Sequence, residues 1–297
     1  MVQAASATAG TIDFNPREFR ERILALAAPL WRELPWRNVD DPYQVWISEV
    51  MLQQTQVSRV LGRWDDWLRR FPSVQALAHA PQAEVLAAWQ GMGYNRRALA
   101  LHRCAQTVAD ELGGAWPHDT RELCGLPGIG PSTAAGIRAF AFDEAGVYLE
   151  TNVRAVFIHE LFAGRDKVAD KELAPLVQLA CPPTGGDVRG WYYALLDYGA
   201  HLKKTLPNPS RRSAGYTRQS PFEGSRRQKR AALVRLLLDA HEAGQSLPAE
   251  ELYARLAAGE QGAGRPAPSP NLVEDILHDL GKEGFCKQDG RGWWSVV

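Results

Sequence analysis

From Phe19 to Leu112 the apolar residues recur at helical spacing in short runs, and proline or glycine closes each run. Phe19 to Leu34 is one such run, ending near Pro35. Pro42 opens a segment read as one helix over Gln44–Val60, and Trp64, Trp67, Leu68 and Phe71 continue its apolar face. Pro72-Ser73 is a start signal for a short helix over Val74–Ala78, and Pro81 starts another through Trp89 that Gly91-Met92-Gly93 stops. Arg96 to Leu112 reads as a long amphipathic helix ending at Gly113-Gly114. Helices joined by short Gly/Pro turns predict an all-α domain.

The character changes after Tyr198. Leu206 to Gly215 is rich in Pro, Ser and Gly and is expected to be irregular. Gln228–Ala243 reads as a helix, Ser246–Ala257 as a second with Ser246 its cap, and Gly259–Pro268 as a loop. Ser269-Pro270 opens a third helix with the stripe Leu272, Val273, Ile276, Leu277 and Leu280, closing at Gly281. The stretch from Gly284 predicts a β-hairpin around Asp289-Gly290. Three helices and a hairpin outline a small winged-helix-like α+β domain. The expected division is a flexible tail over 1–14, a helical domain over 15–205, a basic linker over 206–227 and the winged-helix-like domain over 228–297.

With 297 residues, 45% hydrophobic and 23% charged, the composition is that of an ordinary globular protein. No apolar run approaches the roughly 18 residues of a membrane span. The N-terminal residues lack the basic start and apolar core of a secretory signal, so a cytoplasmic, nucleoid-associated protein is expected. Cys104, Cys124, Cys181 and Cys286 are too far apart for metal-ligand spacing and read as buried, reduced thiols. The net charge is zero, which argues against a nucleic-acid partner; its distribution argues the other way. Lys203 to Arg230 holds nine basic residues against the single acid Glu223. That is either a solvated loop or a strip that contacts phosphates.

Two motifs carry chemistry. The stretch Ile47 to Val57, ISEVMLQQTQV, has the apolar residues of a buried helix, yet it holds Glu49, Gln53, Gln54 and Gln56. Apolar packing does not ask for those groups, so something polar must meet them. In Leu126-Pro-Gly-Ile-Gly-Pro-Ser-Thr-Ala134, Gly128 and Gly130 flank Ile129 in a tight turn, with Ser132 and Thr133 at the start of the following helix. Glycines let such a turn expose backbone N–H groups, an anion site suited to a DNA phosphate.

Pro35-Trp-Arg37, Ser48 to Val57, Gly91 to Arg97, Leu126–Ala134 and Asn152-Val153 occur in an order that resembles the adenine DNA glycosylase (MutY) family of the helix-hairpin-helix glycosylases. The resemblance spans roughly Pro35 to Ala200. It implies that Glu49 is the general acid that protonates adenine at N7, because the adenine anion is a poor leaving group. A carboxyl group in an apolar pocket can stay protonated near neutral pH. The resemblance further implies that Gln54 wedges into the duplex and that Tyr94 packs against it. Ser132 stands where lyase-active relatives carry a nucleophilic lysine, and no lysine precedes Lys167. That implies a monofunctional enzyme, which flips a base into a pocket and leaves the strand intact.

Three departures alter what the resemblance implies. Glu150 replaces the family aspartate that stabilises the cationic sugar, one methylene longer. No cysteine lies between Cys181 and Cys286, so a four-iron cluster, which needs four thiolates, is expected to be absent and no other cofactor is implied. Phosphate contacts would then fall to the basic segment, with Arg211, Arg212, Arg218, Arg226 and Arg227 the candidates. The usual domain that recognises 8-oxoguanine is not discernible.

The expected partner is double-stranded DNA with a damaged or mispaired base, met by a monomer and without a membrane. The expected function is hydrolysis of the N-glycosidic bond of adenine opposite guanine or 8-oxoguanine. The alternatives are a mismatch uracil or thymine glycosylase and a non-catalytic winged-helix DNA-binding protein.

Overall fold

The computed structural model describes residues 14–297. The tail expected over 1–14 lies, but for Phe14, outside them. In chain order the helices are α1 (Pro16–Ala27), α2 (Pro42–Leu52), α3 (Val57–Val60), α4 (Arg63–Arg70), α5 (Val74–Ala78), α6 (Gln82–Ala88), α7 (Arg96–Gln106), α8 (Thr120–Gly125), α9 (Pro131–Ala141), α10 (Thr151–Leu161), α11 (Asp170–Ala180), α12 (Val188–Thr205), α13 (Arg226–Glu242), α14 (Ala249–Gly262) and α15 (Pro270–Glu283). The strands are β1 (Leu247–Pro248), β2 (Cys286–Gln288) and β3 (Trp293–Val296). No helix of the described residues is long and apolar enough to cross a membrane.

The chain divides into two compact units, each assembled from separate stretches of sequence. One comprises residues up to 45 and 131–217; the other comprises 46–130 and 218–297. This cut differs from the division by linkers, because linker composition marks where a chain turns, not which distant stretches pack together.

In the first unit α1, α10 and α12 share a core in which the Phe19 ring lies 5.0 Å from Phe157 and 6.4 Å from Trp191. The Pro35-Trp-Arg37 motif has a clear task there. Arg37 grips buried Asp197 in a two-bonded fork, at 2.8 and 2.6 Å, and Arg32 Nε adds a third bond at 2.5 Å. The Arg37 guanidinium also lies over the rings of Trp31 and Tyr193. A buried carboxylate needs such partners, since alone it would be strongly disfavoured.

In the second unit Trp67 packs edge-on against Phe71 and Trp89 at 4.9 and 5.5 Å. The C-terminal part has three helices, and its antiparallel sheet is ordered β1-β3-β2, with Leu247 opposite Trp294 and Cys286 opposite Val296. The Glu283 carboxylate at the end of α15 joins this part to α7. It accepts from Arg96 at 2.8 and 2.6 Å and from Arg230 at 2.6 Å, while Arg103 donates to the Glu283 carbonyl at 3.1 Å.

Three elements differ from the sequence expectation. The helix expected over Gln44–Val60 stops at Leu52, and Gln54 takes a left-handed φ of 53° before α3 begins. The cause is Arg97, whose guanidinium accepts nothing and donates to the carbonyls of Val50, Met51 and Gln53 at 2.7, 3.2 and 2.7 Å. Those are acceptors that a continuing helix would have used. The run expected over Arg96–Leu112 widens into a π turn over Thr107–Glu111. Finally, Leu247 and Pro248 pair with β3, so α14 starts at Ala249 rather than next to Ser246, and it runs on to Gly262, through the first part of the loop expected over Gly259–Pro268.

Candidate active site

Glu150 is the N-cap of α10, its backbone extended and its carboxylate folded back over the first turn. It accepts from the amides of Asn152 and Val153 at 2.5 and 2.9 Å, and from Asn152 Nδ2 at 3.3 Å. An anion at a helix N-terminus is favoured by the free N–H groups and the helix dipole. Burial nevertheless pushes its pKa above the ordinary glutamate value. The Val153 amide, the charge of Lys203, the Asn152 amide and Arg154 all oppose that rise.

Helix α12 brings Lys203 to this place. Gly199 lies so close to the Asn152 backbone that a Cβ there would collide with it. Lys203 is one turn further on the same face, and helical side chains lean back toward the preceding turn. Burial lowers the pKa of Lys203 and the charge of Glu150 raises it. Asn152 Oδ1 is buried and makes no hydrogen bond among the described residues. Arg154 is itself engaged by Asp170, at 2.8 and 2.7 Å.

Glu49 lies in α2, half-buried, between the buried residues Ser48 and Val50. Beyond the end of α2, Gln54 is exposed and at φ 53°; Tyr94 is 39% exposed and at φ 49°. Arg97 fastens these two turns together. Besides the three carbonyls after Glu49 it donates to Thr55 Oγ1 at 3.1 Å and to the carbonyls of Met92 and Gly93 at 3.0 and 3.1 Å. Burial brings its pKa down to about 10, so it remains a cation at neutral pH.

The turn between α8 and α9 is tight, and of its two glycines only Gly128 takes a positive φ. Gly128 has φ 77°, and a Cβ on it would meet the Ala100 Cβ at 2.6 Å. Ile129 is buried and donates its amide to Leu126 at 3.2 Å. Gly130 precedes Pro131, the first residue of α9, where Ser132 is exposed and Thr133 buried.

The basic segment is heterogeneous. Arg211 is exposed. Arg212 donates to the carbonyls of Ile158, Phe162 and Arg165, at 3.2, 2.8 and 3.3 Å, and so closes the C-terminal end of α10. Arg226 pairs with Asp279 at 2.5 Å, and Arg227 donates to the Tyr94 hydroxyl at 2.9 Å.

Residues 47–183 match the family model described as the HhH-GPD superfamily base excision DNA repair protein. The adenine DNA glycosylase of Mycolicibacterium smegmatis is 36% identical over 224 residues, 70% of this chain and 76% of that one. The chain belongs to the adenine DNA glycosylase family. The Mycobacterium tuberculosis member is 45% identical over 144 residues, and there the matched part spans about half of each chain, 48% and 47%. Among solved structures, that of a thermostable thymine-DNA glycosylase is similar with a TM-score of 0.53 and 24% identity, over 62% of this chain and 87% of that one. A trapped endonuclease III–DNA covalent intermediate gives 0.52 and 17%, over 63% and 87%. These two likenesses concern the fold.

In this DNA glycosylase the residues after α12 do not fit a four-iron cluster, which needs four thiolates. Asn208 caps a short 3-10 turn there through the Ser210 amide at 3.0 Å, and Ser213 lies beside Val168 in an isolated bridge. Side chains of Asn, Ser and Arg occupy the place, and Cys181 and Cys286 are the nearest thiols in sequence.

Sequence reasoning overlooked Arg97, Asn152 and Lys203 as individual site residues of this glycosylase. A signal existed for the first. Arginine in the first turn of a helix opposes the helix dipole, and Arg96, Arg97, Arg226 and Arg227 all occupy such turns. Each has a specific partner that outweighs the dipole.

Proposed function

We propose that the protein is a monofunctional glycosylase that hydrolyses the N-glycosidic bond of a flipped adenine in mispaired duplex DNA, opposite guanine or 8-oxoguanine. The observation that carries this reading is the capped carboxylate of Glu150 at the start of α10, beside the buried acceptor Asn152 Oδ1 and within electrostatic reach of Lys203 on α12. Glu49 donates a proton to N7 of the adenine as the glycosidic bond breaks, and the bonding pair leaves with the base. The ionised Glu150 stabilises the positive charge that develops on the sugar. Water, its proton passing to that carboxylate and its orientation aided by Asn152 Oδ1, adds to the anomeric carbon.

Gly128 and Gly130, with Ser132 and Thr133, present N–H groups to a phosphate, and Ile129, buried and bonded back to Leu126, anchors the turn that carries them. Gln54 and Tyr94 hold the duplex open. Ser132 cannot form a Schiff base, and Lys203 acts as the counter-charge of Glu150. No covalent adduct is therefore expected on treatment of the enzyme–product mixture with borohydride.

The test is single-turnover base release from duplexes holding one adenine opposite each base. Glu49→Gln should bind these duplexes and release adenine at least a hundredfold more slowly, the usual scale for a general acid. A near-normal rate in that variant would overturn the assignment.

The pH dependence follows from Glu150. Its pKa lies above the ordinary value and only its ionised form stabilises a cation, so the rate should rise with pH through that elevated pKa. The sign for folding is opposite: stability from this group is present at low pH and declines as pH rises through the same pKa. Lys203→Met removes a charge that favours the carboxylate, and should move the acid limb of the rate profile to higher pH. Lys203→Arg should restore it. An acid limb that stays in place in Lys203→Met would show that the lysine does not act on Glu150.

A further inference from the structure

The two residues that this reading places against the opened duplex are met by a third piece of chain. Gln219 Nε2 donates to Gln54 Oε1 at 2.5 Å, across 165 residues of sequence. Arg227 donates to the Tyr94 hydroxyl at 2.9 Å, and its other nitrogen donates to the Ser220 carbonyl at 2.7 Å. Its guanidinium lies 5.8 Å from the centre of the Tyr94 ring. Phe222, in the same segment, is 48% exposed.

These bonds are poor candidates for holding the fold together, since they lie at the surface, where water competes for every donor and acceptor. Their effect is orientation. Gln54 and Tyr94 already sit at positive φ without being glycine, a conformation that persists only where surroundings impose it. The Gln219 bond then fixes which end of the Gln54 amide is which. On these two exposed side chains the pairing leaves Gln54 Nε2 as a donor and Gln219 Oε1 as an acceptor for a further group. A donor beside an acceptor is what an unpaired base edge requires, and Tyr94 and Phe222 add ring faces on which a base can stack.

We propose that Gln219 and Arg227 are specificity-determining residues that complete, with Gln54 and Tyr94, a surface for the base left in the strand opposite the excised one. The ligand is a nucleobase that has lost its partner, read by its hydrogen-bonding edge. The inference rests on the reading of Gln54 and Tyr94 as the residues that hold the duplex open. It removes Arg227 from the phosphate contacts and gives it to the base.

The test uses the full chain and duplexes in which a tetrahydrofuran abasic analogue faces adenine, cytosine, guanine, thymine or 8-oxoguanine in turn. The readout is therefore independent of which base the enzyme removes. Affinities are measured as a function of salt for the wild type, Gln219→Ala, Gln219→Glu, Arg227→Met and Gln54→Ala. The wild type should prefer one facing base, and Gln219→Ala and Arg227→Met should each reduce that preference about tenfold, the scale of one lost base contact. The slope of log affinity against log salt should not change. Gln219→Glu, which cannot donate to Gln54, should also lose the preference.

Uniform loss for all facing bases, with the slope flattened by about 0.9, would mean a phosphate contact and overturn the proposal. A wild type without preference, or variants that retain it, would overturn it equally. If Gln54→Ala alone keeps the preference, the reading of Gln54 fails and the role given to Gln219 through it fails with it.

Discussion

Two kinds of turn in the second unit meet opposite demands. The turn at Gly128 exposes backbone, and the turns at Gln54 and Tyr94 expose side chains. Both need a positive φ, 77° in the first and 53° and 49° in the others. A turn that offers N–H groups to an anion can use glycine, whose missing Cβ also lets it sit against Ala100. A turn that must carry an amide and a phenol cannot. There the left-handed backbone is held by force from outside, through the six acceptors that Arg97 gathers. What a turn has to present decides whether its conformation is intrinsic or imposed.

The comparison can be broken most severely at Arg97. Arg97→Met should lower stability by about 2–3 kcal/mol, because it leaves several part-buried carbonyls without a donor. It should also abolish base excision by freeing both turns at once. Urea unfolding and a single-turnover assay would show this, and a variant of normal stability would mean that the turns hold themselves.

At Gly128 the expected loss is smaller. Gly128→Ala should cost about 1–3 kcal/mol, from the positive φ and the contact with Ala100. Duplex affinity should fall while the rate from the bound state persists. A variant that binds normally but releases base slowly would contradict an anion-binding role for this turn.

The smallest effect sharpens the contrast, since it has the other sign. Gln54→Gly relieves a non-glycine residue at φ 53°, and should raise stability by up to about 1 kcal/mol while activity on mispaired duplexes falls. Thermal unfolding beside the activity assay would check it; destabilisation by the glycine would show that the turn carries no strain.

Much of this architecture was legible because it depends on neighbours in sequence. Ser73 and Ser269 cap the helices their positions suggested, accepting from Ala76 and Leu272 at 3.1 and 3.3 Å. The hairpin about Asp289-Gly290 and the Leu126–Ala134 turn follow from local chemistry in the same way. The break after Leu52 was not legible, since the apolar spacing of Gln44–Val60 continues through it and the cause lies at Arg97, more than 40 residues away. Charge composition could not separate Arg212, turned onto the end of α10, from Arg211, which faces solvent. Nor does sequence show that a lysine on α12 comes within electrostatic reach of Glu150. The Gly199 that permits it reads locally as one more small residue in a helix.

The discontinuous make-up of the second unit matters for how the protein is made. Gln82, Arg96 and Arg103 leave the ribosome early, yet their partners at Glu283, Gly284 and Val297 follow 180 to 215 residues later. Until residues 218–297 have emerged, residues 46–130 must wait with basic side chains unanswered and with the apolar surface that α13 to α15 cover still open. Nascent chains of this kind lean on chaperones. A premature stop before Glu283 would therefore not yield a shortened repair enzyme but a substrate for proteolysis.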